Sequence, residues 1–184
     1  LGNSLKQLSS VGISPKSYNN KYGVPLSLFN LDQKNNYGVL EIGMDKKGEI
    51  DYLSKIVKPD VSVITNINYA HAKNFKNIKQ IALAKSEIIN NTKINGFIVL
   101  NADDNFYTLH KKIANKRKLN ILSFGIDNQN ANIKLISIKK IANRFKAIIR
   151  INNLKTYFFI SNNFQSNILN ILAALSVMLS LIHI

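Results

Sequence analysis

The chain has no cysteine among its 184 residues, which excludes a disulfide framework and any thiolate metal site and fits a reducing compartment. Acidic residues are scarce: 10 Asp and Glu stand against 25 Lys and Arg, for a formal charge of +15. Such an excess ordinarily points to nucleic acid or another polyanion. The densest clusters, Lys111-Lys112, Lys116-Arg117-Lys118 and Lys139-Lys140, lack the interleaved aromatic residues that stack bases. Lysine is instead spread through Asn- and Ile-rich stretches, so the reading is a solvated basic surface with no nucleic-acid partner, which can steer anionic nucleotides inward. No basic segment followed by an apolar core and a small-residue cleavage site opens the chain, and a cytoplasmic location is expected.

A hydrophobic content of 46% is ordinary for a globular domain with one core. Apolar residues at Leu1, Leu5 and Leu8 read as the end of a helix, and Gly12 to Pro25 reads as a loop with Pro25 in the next helical turn. Strands are expected at Tyr37 to Ile42, Val61 to Thr65, Phe97 to Leu100 and Ile121 to Phe124. Helices are expected from Gly48 to about Lys58, from Ile78 to Thr92 and from Asn105 to Lys118. This alternation calls for a mostly parallel sheet flanked by helices, with ligands at the carboxyl ends of the strands. After Asp127 the pattern changes. Ile133 to Ile138, Arg144 to Ile151 and Lys155 to Ile160 are separated by short polar breaks and suggest an antiparallel meander. The apolar stretch Ile168 to Ile184 carries Asn170, Ser176, Ser180 and His183, and reads as a buried core helix in preference to a membrane span. The expected divisions are a parallel α/β part over about 1–127, a meander over about 131–160 and a core helix over about 164–182, in a chain truncated at both ends.

Three segments place polar groups where such a sheet would offer them to a ligand. Glu41 sits at a strand end before Gly43 and Gly48, Thr65-Asn66 lies at the end of a strand that runs on to His71, and Lys85 lies within the apolar stripe of a helix. Each also has a plain structural role open to it. Glu41 can cap a helix, His71 can be a hydrogen-bonded loop histidine, and Lys85 can extend its ammonium to solvent over an apolar stem.

In order and spacing, these segments resemble the central domain of the Mur ligase family over nearly the whole chain. The family's motifs stand here as Asn19-Asn20-Lys21-Tyr22-Gly23-Val24-Pro25-Leu26, Glu41-Ile42-Gly43 with Gly48-Glu49-Ile50, Thr65-Asn66-Ile67 with Ala70-His71, the helical Lys85, and Asn101-Ala102-Asp103-Asp104. The resemblance leans toward the branch that adds D-alanyl-D-alanine to UDP-N-acetylmuramoyl-tripeptide. Ligases that add another amino acid, ligases of the folylpolyglutamate type, and a noncatalytic binding domain are the alternatives.

The resemblance implies an ATP-dependent, Mg2+-requiring, monomeric ligase of peptidoglycan precursor synthesis. It implies that Glu41 and His71 hold the divalent cation and that Lys85 acts as a carbamate anion beside them. The same likeness assigns Asn19, Asn20, Thr65 and Asn66 to substrate and phosphate groups, and Asn167 and Asn170 to the nucleotide. Gln165 and Ser166 stand where the family segment before Asn167 ordinarily has a histidine. The family's Gly-x-x-Gly-Lys-[Ser/Thr] phosphate loop does not occur in the 184 residues, so this chain alone is expected to be inactive.

Overall fold

The computed structural model describes residues 1–15, 17–69 and 74–182. In chain order its elements are α1 (Gly2–Leu5), β1 (Val11–Ile13), α2 (Gly23–Phe29), β2 (Tyr37–Val39), α3 (Glu49–Val57), β3 (Val61–Ile64), α4 (Ile78–Lys85), α5 (Glu87–Asn91), β4 (Phe97–Asn101), α6 (Tyr107–Lys116), β5 (Asn120–Gly125), β6 (Ile133–Ile141), β7 (Arg144–Ile151), β8 (Leu154–Ile160) and α7 (Gln165–Leu181).

The strands form two sheets. β3 to β8 make a six-stranded sheet in sequence order, parallel from β3 to β6 and antiparallel from β6 to β8. β3 crosses to β4 through α4 and α5 and β4 to β5 through α6, the usual helical connections of parallel neighbours, while β5 reaches its parallel neighbour β6 through residues 126–132 without a helix. Every residue of β4 is buried, which is why Phe97 to Leu100 form a continuous apolar run without polar alternation. Ile98 and Leu100 of β4 join Ile64, Ile81, Ala82, Ile89 and Ala114 in a core under the helices of one face. Val99, one residue out of phase, joins Phe124, Ile133 and Ile149 under Ile168, Leu172 and Val177 of α7 on the other.

The apolar C-terminal helix is a core element of this second face. Its buried hydroxyls are satisfied within the helix, Ser176 donating to the Leu172 carbonyl at 2.9 Å and Ser180 to Val177 at 2.6 Å. No helix among the described residues is long and apolar enough to cross a membrane.

Three expectations are corrected. The segment read as a loop from Gly12 begins inside β1, which exists through its parallel ladder to β2 and is too short to declare itself by pattern. The expected strand Tyr37 to Ile42 pairs only over Tyr37–Val39, and it belongs to this separate two-stranded sheet, with no hydrogen-bonded place beside β3. The helix expected over Ile78 to Thr92 breaks at Ser86, whose hydroxyl turns back to the Leu83 carbonyl at 2.7 Å.

Candidate active site

A cleft of about 740 Å³ opens between β2 with its following loop and the outer edge of β3. Asn19, Glu41, Gly43, Thr65 and Lys85 all line it. Thr65 immediately follows β3 and Glu41 lies two residues beyond β2. Polar side chains thus gather at the carboxyl ends of parallel strands, where the backbone leaves the sheet and side chains can converge on a ligand.

Glu41 is held from two sides. Its backbone N–H donates to the Ser14 hydroxyl at 3.2 Å, and its Oε1 accepts from the Asn19 amide at 2.8 Å. Gly43 makes that second contact possible. A Cβ there would come within 2.9 Å of the Asn19 carboxamide, while the Gly43 N–H donates to the Asn19 carbonyl at 2.7 Å. The Glu-x-Gly spacing therefore lets Asn19 lie against the strand-end loop and orient the carboxylate.

Asn20 points its chemistry elsewhere. Its side-chain oxygen accepts from Tyr22 N at 3.1 Å and Gly23 N at 3.0 Å, forming the turn into α2. Gly23 is required there because a Cβ would lie 2.5 Å from the Tyr18 backbone. The paired asparagines thus divide their roles, one on the cleft and one in the turn.

Lys85 ends α4 and donates from Nζ to the Asn66 carbonyl at 2.8 Å. Its side chain is half-buried, and burial pulls the ammonium below the usual lysine range, with Asp104 opposing that shift. The contact directs the ammonium at the Asn66 carbonyl. The Asn66–Ile67 loop is itself held by Asp104, which accepts from Ile67 N at 2.8 Å and from Phe106 N at 2.8 Å. His110 of α6 is 2% exposed, its Nε2 bonded to the Ala82 carbonyl at 3.1 Å. Burial lowers the His110 pKa.

The Asn-Ala-Asp-Asp motif therefore has two anchoring carboxylates. Asp104 fixes the loop after β3, and Asp103 accepts from the backbone N–H groups of Ile126, Asp127 and Asn128 after β5. The sequence marked the motif without its roles. Neither His110 nor Glu87, which caps a distant helix, carried a sequence signal, because their partners lie 28 and 39 residues away.

The remaining expected residues are more dispersed. Asn167 and Asn170 lie on the exposed side of the first turns of α7, Asn167 donating to the Asn162 side chain at 2.8 Å, and neither lines the cleft. Asn66 reaches the site through its carbonyl. His71 lies outside the described residues. Among the described residues no group of His, Cys, Asp and Glu is clustered as a metal site. The donors on the cleft suit a hard cation through Glu41, and Lys85 suits one only after its ammonium becomes an anionic carbamate.

Fold and cleft define a mostly parallel α/β domain with polar side chains gathered at strand-end loops, a class shared by many activities. The Mur ligase middle domain matches residues 1–178, and the chain belongs to that family. It is 33% identical over 166 residues to the UDP-N-acetylmuramoyl-tripeptide--D-alanyl-D-alanine ligase of Buchnera aphidicola subsp. Baizongia pistaciae, covering 90% of this chain and 35% of that protein. The ligase of the same description from Buchnera aphidicola subsp. Acyrthosiphon pisum is 39% identical over 122 residues, 66% of this chain and 24% of the relative. The chain thus spans about a quarter to a third of these relatives.

Solved structures agree with this placement. MurF from Acinetobacter baumannii superposes with a TM-score of 0.89 at 29% identity, over 98% of this chain and 39% of that one. MurF ligase from Thermotoga maritima in complex with ADP gives 0.85 at 32%, over 97% and 41%. The apo form of L. casei FPGS shares the fold, with a TM-score of 0.66 at 12% identity.

Proposed function

We propose that the chain is the middle domain of an ATP-dependent ligase that joins D-alanyl-D-alanine to UDP-N-acetylmuramoyl-tripeptide. The observation that carries this reading is the convergence of Glu41, held by Asn19, and Lys85, held by the Asn66 carbonyl, on one cleft at the ends of β2 and β3. Two relatives similar over about nine tenths of the chain, from Buchnera aphidicola subsp. Baizongia pistaciae and Rickettsia prowazekii, share that description.

In the reaction, the terminal carboxylate of the muramoyl tripeptide takes the γ-phosphoryl group of ATP, releasing ADP. The amine of D-alanyl-D-alanine then attacks the acyl phosphate, loses a proton and displaces phosphate to leave the amide. Glu41 and His71 would hold Mg2+ together with Lys85. The cation supplies charge neutralisation for phosphate oxygens when bound. Thr65, Asn66 and Asn19 orient phosphate and substrate groups, Asn20 shapes the turn beside them, and Asn167 and Asn170 offer amides to the nucleotide.

The depressed pKa of Lys85 supports its part. A neutral amine adds to the carbon of carbon dioxide, loses one proton and becomes a carbamate, so position 85 changes from cation to anion. In the ligase carrying this chain, Lys85→Ala and Lys85→Arg should both abolish amide formation, and a small carboxylate in solution should partly restore the alanine variant. Near-normal turnover by Lys85→Arg overturns the proposal, because arginine keeps the positive charge and forms no such carbamate.

A further inference from the structure

The turn that follows the Glu41 loop is held by a residue beside Lys85. Helix α3 is preceded by Gly48 at its N-cap, whose φ of 91° lies in the left-handed region and whose missing side chain leaves the helix without an N-cap oxygen of its own. The first N–H groups of a helix have no partners within it. Glu87, at the start of α5, supplies one from a distant part of the chain. Its carboxylate accepts from Gly48 N at 2.9 and 3.1 Å and from Asp51 N at 3.1 Å. The Asp51 N–H is the one that an N-cap side chain ordinarily takes, and the anionic cap complements the positive end of the helix dipole.

This cap lies within a chain of contacts that connects the two sides of the cleft. Glu49, the first residue of α3, turns back to accept from Asp45 N at 2.6 Å and Lys46 N at 3.1 Å. The backbone from Asp45 to Asp51 is therefore clasped by two carboxylates, only one of which is local. Upstream, that backbone continues through Met44 and Gly43 to Glu41. On the other side, Glu87 is two residues beyond Lys85, across the Ser86 break where α4 ends and α5 begins. The clasp spans 39 positions in sequence and joins the loop bearing Glu41 to the helical junction bearing Lys85.

We infer that Glu87 is a positioning residue whose cap on α3 sets the register between Glu41 and Lys85, and with it the affinity of the site for a divalent cation. The inference rests on the reading of Glu41 and Lys85 as cation-holding groups. Glu87 touches neither substrate nor metal in this role. It acts through the Gly48 turn.

The test is a titration of the ligase carrying this chain with Mn2+ alone, read by electron paramagnetic resonance, alongside thermal unfolding of each variant. Asn91→Ala is the control for stability. Asn91 also ties α5 to α3, donating to the Asp51 carbonyl, the Asp51 carboxylate and the Ser54 hydroxyl, but it leaves the Gly48 N–H untouched. Glu87→Ala should weaken Mn2+ binding on the order of 10-fold or more, the effect expected when a group that orients metal ligands is lost. Glu87→Gln keeps an acceptor oxygen without the charge and should fall between, which also covers the case in which the alanine variant folds poorly. Asn91→Ala should lower the unfolding temperature and leave Mn2+ affinity unchanged. Unchanged Mn2+ affinity in Glu87→Gln together with Glu87→Ala behaving as Asn91→Ala overturns the inference while leaving the cation site intact. Undiminished Mn2+ binding in both Glu41→Ala and Lys85→Ala instead removes the cation site itself, and the role of Glu87 falls with it.

Discussion

Acid should destabilise this fold through His110, and the size of that effect can be bounded. The imidazole is 2% exposed, and its Nε2 donates to the Ala82 carbonyl, so when the ring is neutral its proton sits on Nε2. Burial is the main cause of its lowered pKa. The Ala82 hydrogen bond and Asp104 act against burial, and Lys85 acts with it. Above about pH 6.5, the ordinary histidine value, folded and unfolded chains both carry a neutral ring and stability is unaffected. As pH falls below that value the unfolded chain takes up a proton that the folded chain refuses. Stability then drops by at most about 1.4 kcal/mol per pH unit until the folded ring also titrates.

Between pH 7.5 and 5.5 the loss attributable to His110 is thus bounded at about 1.4 kcal/mol, since only the last unit lies below the unfolded value. His110→Gln places an amide N–H near the position of Nε2 and does not titrate. Urea unfolding of both proteins at the two pH values isolates the effect, because contributions from other groups cancel in the difference. The variant should lose less stability than the wild type over this interval, by an amount approaching 1 kcal/mol. Identical pH dependence in the two proteins would refute the reasoning.

Two further outcomes follow from other parts of the structure. Asp103→Ala strips the acceptor from the Ile126, Asp127 and Asn128 N–H groups. It should cost about 2–3 kcal/mol and lower the unfolding temperature by roughly 5–10 °C, and calorimetry showing no shift would mean that solvent satisfies this loop as well as the carboxylate does. The 184-residue chain contains no Gly-x-x-Gly-Lys-[Ser/Thr] segment, so on its own it should release no more phosphate from Mg-ATP than its Lys85→Ala variant, a comparison that a coupled phosphate assay makes directly.

Where pattern and local chemistry agree, the sequence was a good guide. The apolar run Phe97-Ile98-Val99-Leu100 became the fully buried strand β4, and the runs Arg144 to Ile151 and Lys155 to Ile160, parted by a short polar break, became antiparallel neighbours in register. Features that depend on distant partners were not legible. β1 is three residues long and is a strand because β2 lies beside it. Ser86 interrupts a helix whose apolar spacing runs straight through it.

The candidate site divides along the same line. Glu41, Thr65 and Lys85 follow from strand-end and helix positions and do share one cleft. The groups that fix them do not follow. Asn19 was marked as a substrate contact, and its amide is also the group that orients Glu41. Asn20 was paired with it by motif, but a side chain that caps the very next turn spends its oxygen there. Asp104 and Glu87 bind backbone N–H groups 37 and 39 residues away, contacts that no local spacing reveals.

The central claim is that Glu41 and Lys85 form two sides of one cation site. It is tested most directly by the anomalous difference density of manganese in crystals of the ligase carrying this chain, grown with Mn2+, bicarbonate and a non-hydrolysable ATP analogue. The account predicts a peak at coordination distance from the Glu41 carboxylate, with residue 85 extended by a carbamate beside it. A manganese peak away from Glu41, with Lys85 still an unmodified ammonium on the Asn66 carbonyl, would contradict it.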